Sequence, residues 1–239
     1  MAWVPRPAAN PTVRHGSEIK TLGGAWREFW RYRSPRIIAT AVVAVATLRV
    51  LHGDFGWGDA VACAGMVAAY PFGEWAIHVY LLHLKPFRFR GRMVELATSK
   101  AHREHHERPS RLGLILLGPL EAAGLLLLTV PFTLGLGIGA VALAGGHVPL
   151  GPVFTGLLTG YVSVGVYEWT HFLIHTAYRP RSRYYRSIWR NHRLHHFKNE
   201  HYWHGIVTTV GDRALGTLRD HREVPRSPTA RTLDPGPAG

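Results

Sequence analysis

Residues 167–175 read YEWTHFLIH and, after sixteen further residues, 192–196 read HRLHH; these two segments decide the fold. The first places two histidines four residues apart, so on a helix both imidazoles leave the same face. The second places three histidines at positions i, i+3 and i+4, which also share a helix face. Neutral imidazoles grouped in this way are typical ligands of a transition metal. The pattern predicts helices that present a metal site.

A second histidine set upstream has nearly the same form. His78 and His83 are followed by HREHH at 102–106, so the chain resembles a loose internal duplication. His78 and His83 are five residues apart, which on an α-helix separates them by about 140° and predicts that they face two neighbouring metals. Together the two sets indicate a dinuclear centre. The predicted ligands are His78, His83, His102, His105, His106, His171, His175, His192, His195 and His196.

The composition restricts the chemistry of the site. The 239 residues include 16 histidines, 15 Asp plus Glu and one cysteine, so an intrachain disulfide and a thiolate cluster are excluded. The formal net charge is +13, but the basic residues flank apolar blocks and no nucleic-acid motif accompanies them. The charge is therefore assigned to membrane topology, and nucleic acid is excluded as a partner.

Long apolar blocks predict an all-α, multi-pass integral membrane protein with about four transmembrane helices in two hairpins. Lys and Arg are absent from 50–59 and 133–152 and abundant in 85–111 and 179–198. This places the histidine groups, in a helical cap, and both termini on the cytoplasmic side. The predicted spans are 37–51, 60–77, one within 112–144 that follows an in-plane segment, and 148–174.

Composition also divides the chain into three parts. Residues 1–24 are rich in Pro and Gly and predict a mobile N-terminal tail, and 25–218 form the membrane domain. Residues 219–239 contain four prolines and little apolar content, which predicts a disordered C-terminal tail.

Other polar residues near the histidines have predicted supporting roles. Glu74 and Glu168 precede His78 and His171 by four and three residues, so each carboxylate is expected to accept a hydrogen bond from an imidazole N–H. Tyr167 is either a hydrogen-bonding group near the site or an ordinary interfacial aromatic residue. Two trailing histidines, three residues apart, are candidates for additional ligands. They are His201 and His204.

The order H-x4-H, H-x2-HH, H-x3-H, H-x2-HH resembles the membrane fatty acid hydroxylase superfamily, also called the sterol desaturase family. The likeness extends from about Glu74 to Thr217. HVYLLHLKP at 78–86, HREHHERP at 102–109, YE-x2-H at 167–171, and GIVTTVGD at 205–212 with the later GT at 216–217 look most like the fatty acid 2-hydroxylase branch. These matches include residues that metal binding alone would not require.

The resemblance implies that the ten histidines hold two iron ions, with zinc able to replace iron in a purified sample, and that O2 is a co-substrate. It implies a structural or hydrogen-bonding role for Asp212. His204 departs from the family pattern, which has an aromatic residue there. A cytochrome b5 domain is not fused to either end, so a separate electron donor is expected, a ferredoxin or a cytochrome b5 with its reductase.

These features predict a membrane-bound, O2-dependent di-iron monooxygenase that hydroxylates an acyl chain or related lipid. A desaturase or a sterol or carotenoid oxidase on the same scaffold is the nearest alternative, although the H-x3-H spacing disfavours carotenoid oxidation. From a different class, a histidine-rich metal carrier or haem electron carrier remains open. A haem protein would require only paired axial histidines.

Overall fold

The computed structural model describes residues 15–144 and 150–233 and is built from helices. Its only sheet within these ranges is a two-stranded antiparallel hairpin, β1 (Phe87–Phe89) and β2 (Arg92–Val94). The predicted all-α class is confirmed. The helices are α1 (Leu22–Phe29), α2 (Arg33–His52), α3 (Trp57–Ala76), α4 (Ala97–Glu107), α5 (Pro119–Ala144), α6 (Leu150–Ile174), α7 (Arg183–Phe197) and α8 (Val210–Ala214).

Four segments are long and apolar enough to cross a membrane, which confirms the predicted number of spans. The segment after residue 112 differs from the prediction. It contains one short 3-10 turn, Leu112–Leu114, and then α5 as a single helix. Pro119 occupies its first position, where a missing N–H costs nothing, and Pro131 lies inside it. The four segments are Arg33–His52, Trp57–Leu82, Leu112–Gly135 and Leu150–Ile174.

Helix α6 is the centre of the bundle and contacts α2, α3 and α5. Small residues on α6 permit this close packing. A Cβ atom added to Gly156 would lie 2.6 Å from Thr133 Cγ2, and one added to Gly160 would lie 3.0 Å from Met66 Cε. Glycine at these positions therefore lets α3 and α5 approach the α6 backbone, as is common between transmembrane helices.

At the end of the bundle away from the histidines, Arg49 points inward and is only 2% exposed. Its guanidinium contacts the Asp59 carboxylate through Nε (2.8 Å) and Nη2 (2.7 Å). Nε also donates to Thr155 Oγ1 at 2.9 Å, so α2, α3 and α6 are joined by one polar cluster. The pairing allows a charged residue to remain inside the apolar bundle.

Asp59→Ala is expected to destabilise the protein by about 3 kcal/mol, because it leaves the Arg49 charge buried without its partner. The measurement is the change in unfolding free energy in detergent. The double variant Arg49→Met, Asp59→Leu should recover most of the loss, because both charges are then absent. Equal destabilisation by the single and double variants would contradict this account.

Residues of both predicted tails contact the rest of the protein. The Gly16 N–H donates to the Ser110 carbonyl (2.8 Å), and the Gly16 carbonyl accepts from the Ala177 N–H (2.9 Å). Residues 219–233, which lie in the predicted C-terminal tail, pack against the ends of α4 and α7. Composition indicated that this segment has little core of its own, but hydrogen bonds to the rest of the protein hold it. Residues 1–14 and 234–239 lie outside the described residues.

Candidate metal centre

The histidines gather where α3 and α6 end and where α4 and α7 meet them. After Ala76, helix α3 continues as one wide π-helical turn, Ile77–Leu82, in which the His83 N–H donates to the His78 carbonyl at 3.2 Å. A π turn places residues i and i+5 nearly above one another, and such turns are frequent at functional sites. His78 and His83 therefore face the same point, and the prediction that they serve two metals is wrong.

The ten predicted ligands form two groups of five, and within each group the candidate ligand atoms lie within 4.8 Å of one another. All but His83 and His175 are buried, and these two are half-buried. The first histidine group is His78, His83, His102, His106 and His195. The second histidine group is His105, His171, His175, His192 and His196.

The two groups do not correspond to the two halves of the sequence. Each H-x2-HH motif sends its first and last histidines to one group and its middle histidine to the other. His105 on α4 thus joins the group of α6 and α7, and His195 on α7 joins the group of α3 and α4. Positions i+3 and i+4 diverge by about 100° on a helix, so one helix can serve two adjacent points. As a result, each histidine group contains histidines from both α4 and α7.

The spacing of the ring nitrogens fits a bound metal. Two imidazole nitrogens that are each about 2.1 Å from one ion, at a tetrahedral or octahedral angle, are about 3.0–3.4 Å from each other. The Nε2 atoms of His83 and His195 are 3.2 Å apart, as are those of His102 and His106. In the second histidine group, the His192 Nε2 lies 2.9 Å from that of His175 and 3.0 Å from that of His196.

Backbone carbonyls fix the orientation of three imidazoles in the first histidine group. His78 Nδ1 lies 2.6 Å from the His204 carbonyl, His106 Nδ1 2.8 Å from the Ala230 carbonyl, and His195 Nδ1 2.8 Å from the Tyr202 carbonyl. A carbonyl only accepts, so each Nδ1 carries the proton and each Nε2 directs a lone pair into the group. This donor set suits a divalent transition metal.

Burial controls the charge of these imidazoles. It lowers the pKa of His106 to about 4, although the hydrogen bond to Ala230 acts in the opposite direction. Burial, followed by repulsion from neighbouring imidazoles, also holds the pKa values of His105 and His195 well below their ordinary range. The rings are therefore neutral near pH 7, as metal ligation requires.

This shift predicts how the metal-free protein responds to acid. The unfolded chain takes up protons on histidine below pH about 6.5, before the folded chain does, so acid favours unfolding. The contribution of His106 should be complete above pH about 6.5 and lost as the pH falls toward about 4. Thermal unfolding of chelator-treated protein across this interval tests the expectation, and a midpoint that does not change with pH would contradict it.

The two glutamates contact backbone N–H groups and one serine hydroxyl, and not the imidazoles that the sequence suggested. Glu74 Oε1 accepts from the N–H groups of Ile206 (3.0 Å) and Val207 (2.7 Å). Glu168 Oε1 accepts from the Ser34 hydroxyl (2.6 Å) and the Leu117 N–H (2.9 Å). The expected bonds to the histidines are absent among the described residues. Loop N–H groups that have no helical partner outcompete the imidazoles, so the glutamates anchor loops to the spans.

Asp212 organises the chain that follows α7. It is fully buried, and its oxygens accept from the N–H groups of His204 (2.9 Å) and Gly205 (2.8 Å) and from the Thr217 hydroxyl (2.6 Å). Because the His204 carbonyl receives the His78 imidazole, Asp212 supports the first histidine group through the backbone.

Tyr167, His201 and His204, whose roles the sequence left open, have different surroundings. The Tyr167 ring packs 5.7 Å from the His171 ring, and its hydroxyl bonds to no described residue. His201 is exposed and only approaches Glu200. His204 is buried, belongs to neither histidine group, and with His83 lines a cavity of about 260 Å³. His204 therefore forms part of the wall beside the first histidine group.

Residues 219–233 form a C-terminal strap over α4 and α7, the two helices that carry the H-x2-HH motifs. The strap provides the Ala230 carbonyl that holds His106, and Arg231 donates from Nε to the His106 carbonyl (2.9 Å) and also to that of Glu107. On the α7 side, Glu200 accepts from the Ser227 hydroxyl at 3.0 Å. Sequence reasoning missed this contribution, because a backbone acceptor leaves no motif.

Comparison with known proteins agrees with this geometry. The fatty acid hydroxylase family model matches residues 63–217, which is most of the chain. The chain belongs to the fatty acid hydroxylase family. The match ends before the C-terminal strap, so that part of this family member lies outside the matched region.

Individual relatives are 28% identical to this fatty acid hydroxylase family member over the aligned residues. It is 28% identical to a fatty acid 2-hydroxylase of Macaca fascicularis, over 66% of this chain and 38% of that protein. It is also 28% identical to the dihydroceramide fatty acyl 2-hydroxylase FAH2 of Arabidopsis thaliana, over 64% of this chain and 61% of that protein. The chain thus spans less than two thirds of these relatives.

A solved structure of full-length scs7p, in which only the hydroxylase domain is visible, has the same fold as this family member. The TM-score is 0.59 at 20% identity, and the match covers 81% of this chain and 68% of that one. At this level of identity the likeness concerns the fold.

Proposed function

We propose that this protein is a membrane-bound, O2-dependent di-iron hydroxylase that acts on the acyl chain of a lipid. One observation carries the proposal: two adjacent groups of five imidazoles lie at the ends of membrane-spanning helices in a chain of the fatty acid hydroxylase family. Imidazole ligands suit iron, and the spans let an apolar chain approach the site from the bilayer. The fatty acid 2-hydroxylase names of the relatives favour an acyl substrate.

Each histidine group would hold one iron ion. Bound iron would supply O2 activation, in which one oxygen atom enters a C–H bond and the other leaves as water, with the consumption of two electrons and two protons. The protein's own contribution is to fix the imidazoles. The carbonyls of His204, Tyr202 and Ala230 hold Nδ1–H groups, and burial keeps water from the ligating nitrogens.

The reaction consumes two electrons. We propose that a ferredoxin, or a cytochrome b5 with its reductase, supplies them. A purified, iron-loaded chain should therefore turn over only when a donor and O2 are both supplied.

The decisive test is lipid mass spectrometry of cells that express the chain, with isotopically labelled O2, together with iron analysis of the purified protein. The proposal predicts hydroxylated acyl chains that carry the label, and about two irons per chain. Cells that express His195→Ala should lack the product. Cells that express His52→Ala should retain it, because His52 lies at the end of the bundle away from the histidine groups. A new double bond without added oxygen would indicate a desaturase, and a Soret band without lipid product would indicate a haem carrier.

We also propose that the histidine groups face the cytoplasm, because Lys and Arg are concentrated in the segments beside them. Cysteine labelling tests this orientation in a Cys63→Ala background. Gly56→Cys lies in the turn between α2 and α3, where an added Cβ meets nothing within 4 Å, and Arg181→Cys lies just before α7. A membrane-impermeant maleimide applied to intact cells should label the first variant and spare the second, and the reverse result would invert the topology.

A further inference from the structure

A second polar cavity lies beside α7, on the side that carries Ser187, Arg190, Asn191 and Leu194. Its volume is about 470 Å³, and its walls are this side of α7, the beginning of α8, and residues 218–222. Trp203, which is 1% exposed, forms part of the lining, and its indole N–H donates to the Arg219 carbonyl at 3.0 Å. None of the ten clustered histidines lines this cavity, so it is distinct from the metal centre.

Positive charge dominates this α7 cavity. Four arginines line it, and the one acidic side chain among its lining residues, Asp220, is already paired with Arg222 at 2.6 Å. Within residues 15–144 and 150–233, the other three arginines have no carboxylate at ion-pair distance. They are Arg190, Arg213 and Arg219. Guanidinium groups that converge without counter-ions are the typical receptor for a phosphate group.

The lining also includes a side-chain amide. Asn191 is only 2% exposed and lines the cavity. An amide nitrogen offers two hydrogen-bond donors to the oxygens of a ligand. The hydroxyls of Ser187 and Thr209 line the same cavity and add two further donors. Neutral donors with arginines match the several oxygens of a phosphate.

The position of α8 indicates where this phosphate would come from. Helix α8 lies directly on membrane-spanning helix α3, since a Cβ on Gly211 would be 2.5 Å from the Pro71 carbonyl. On α8 and just after it, Val210 and Leu215 are 49% and 46% exposed and flank Arg213, which lines the cavity. Exposed apolar residues beside an arginine, next to a membrane helix, are typical of the headgroup level of a bilayer.

We propose that this cavity binds the phosphate headgroup of an anionic membrane phospholipid. The arginines and the Asn191 amide donate hydrogen bonds to the phosphate oxygens. Helix α8 places the acyl chains along α3. The proposal does not depend on the reaction at the histidine groups.

Native mass spectrometry of the full-length protein in detergent, titrated with phosphatidic acid, tests the proposal. Arg190→Ala, Arg213→Ala and Arg219→Ala together should weaken binding by at least about tenfold, because charge-assisted hydrogen bonds are lost. The matched control is Arg181→Ala, Arg186→Ala and Arg226→Ala, which removes the same charge outside the cavity and should bind as the original chain does. All six arginines are exposed, so folding should survive in both variants, and unchanged thermal unfolding verifies this.

Three results would overturn the proposal. Equal losses in the two triple variants would mean that surface charge alone attracts the lipid. Inorganic phosphate that displaces phosphatidic acid at equal concentration would mean that the cavity takes a soluble anion. A cavity variant that binds lipid normally but no longer accepts electrons from an acidic donor protein would make the cavity a protein docking site.

Discussion

His192→Ala combined with His195→Ala is expected to remove both metal ions, although the two residues are one helical turn apart on α7. The structure assigns His192 to the second histidine group and His195 to the first. In contrast, His83→Ala combined with His195→Ala should remove one ion, because both residues serve the first histidine group from different helices. Loss of a ligand should lower metal affinity or activity by more than about 100-fold, the upper range for residues that only support ligands.

The measurement is iron per chain after purification, with each single variant measured alongside. The iron losses of the two single variants in the first histidine group should not add, because both empty the same site. The losses of single variants in different groups should add. His52→Ala is the control, since His52 is at the opposite end of the bundle. One ion in the His192 and His195 double variant, with none in the His83 and His195 double variant, would contradict the assignment of His195 to the first histidine group.

Ending the chain at Leu218 is expected to empty the first histidine group and to leave the second loaded. The truncation removes the Ala230 carbonyl, so His106 loses the acceptor that sets its protonation and ring orientation. Supporting hydrogen bonds of this kind are worth about 10–100-fold in metal affinity or activity. Iron content should fall from about two per chain to about one, with activity lowered by at least about tenfold.

A point substitution within the strap distinguishes positioning from general loss of structure. Arg231→Ala removes the side chain that contacts the carbonyls of His106 and Glu107, and it should lower iron content more than Arg226→Ala, which alters an exposed arginine of the same strap. A chain that ends at Leu233 should behave as the full chain does. Two irons in the chain that ends at Leu218 would show that the strap has no part in the site.

The sequence by itself determined the class of fold and the identity of the clustered residues. Apolar blocks long enough to cross a bilayer are recognisable without tertiary information, and the described structure has four of them. Histidine spacing on helices likewise selected ten residues, and all ten lie in the two histidine groups. Both features are local, because helix period and hydropathy depend on neighbours in the chain.

Only the tertiary structure decided how those residues combine. Because of the π turn after Ala76, His78 and His83 face the same histidine group. Because α4 and α7 lie side by side, His105 belongs to the group of α6 and α7, and His195 belongs to the group of α3 and α4. The acceptors for His78, His106 and His195 are carbonyls of distant segments. Every residue has a carbonyl, so a sequence cannot show which one will be used. Packing makes that selection, and it also places residues 219–233 of the predicted tail against the helices that carry the histidines.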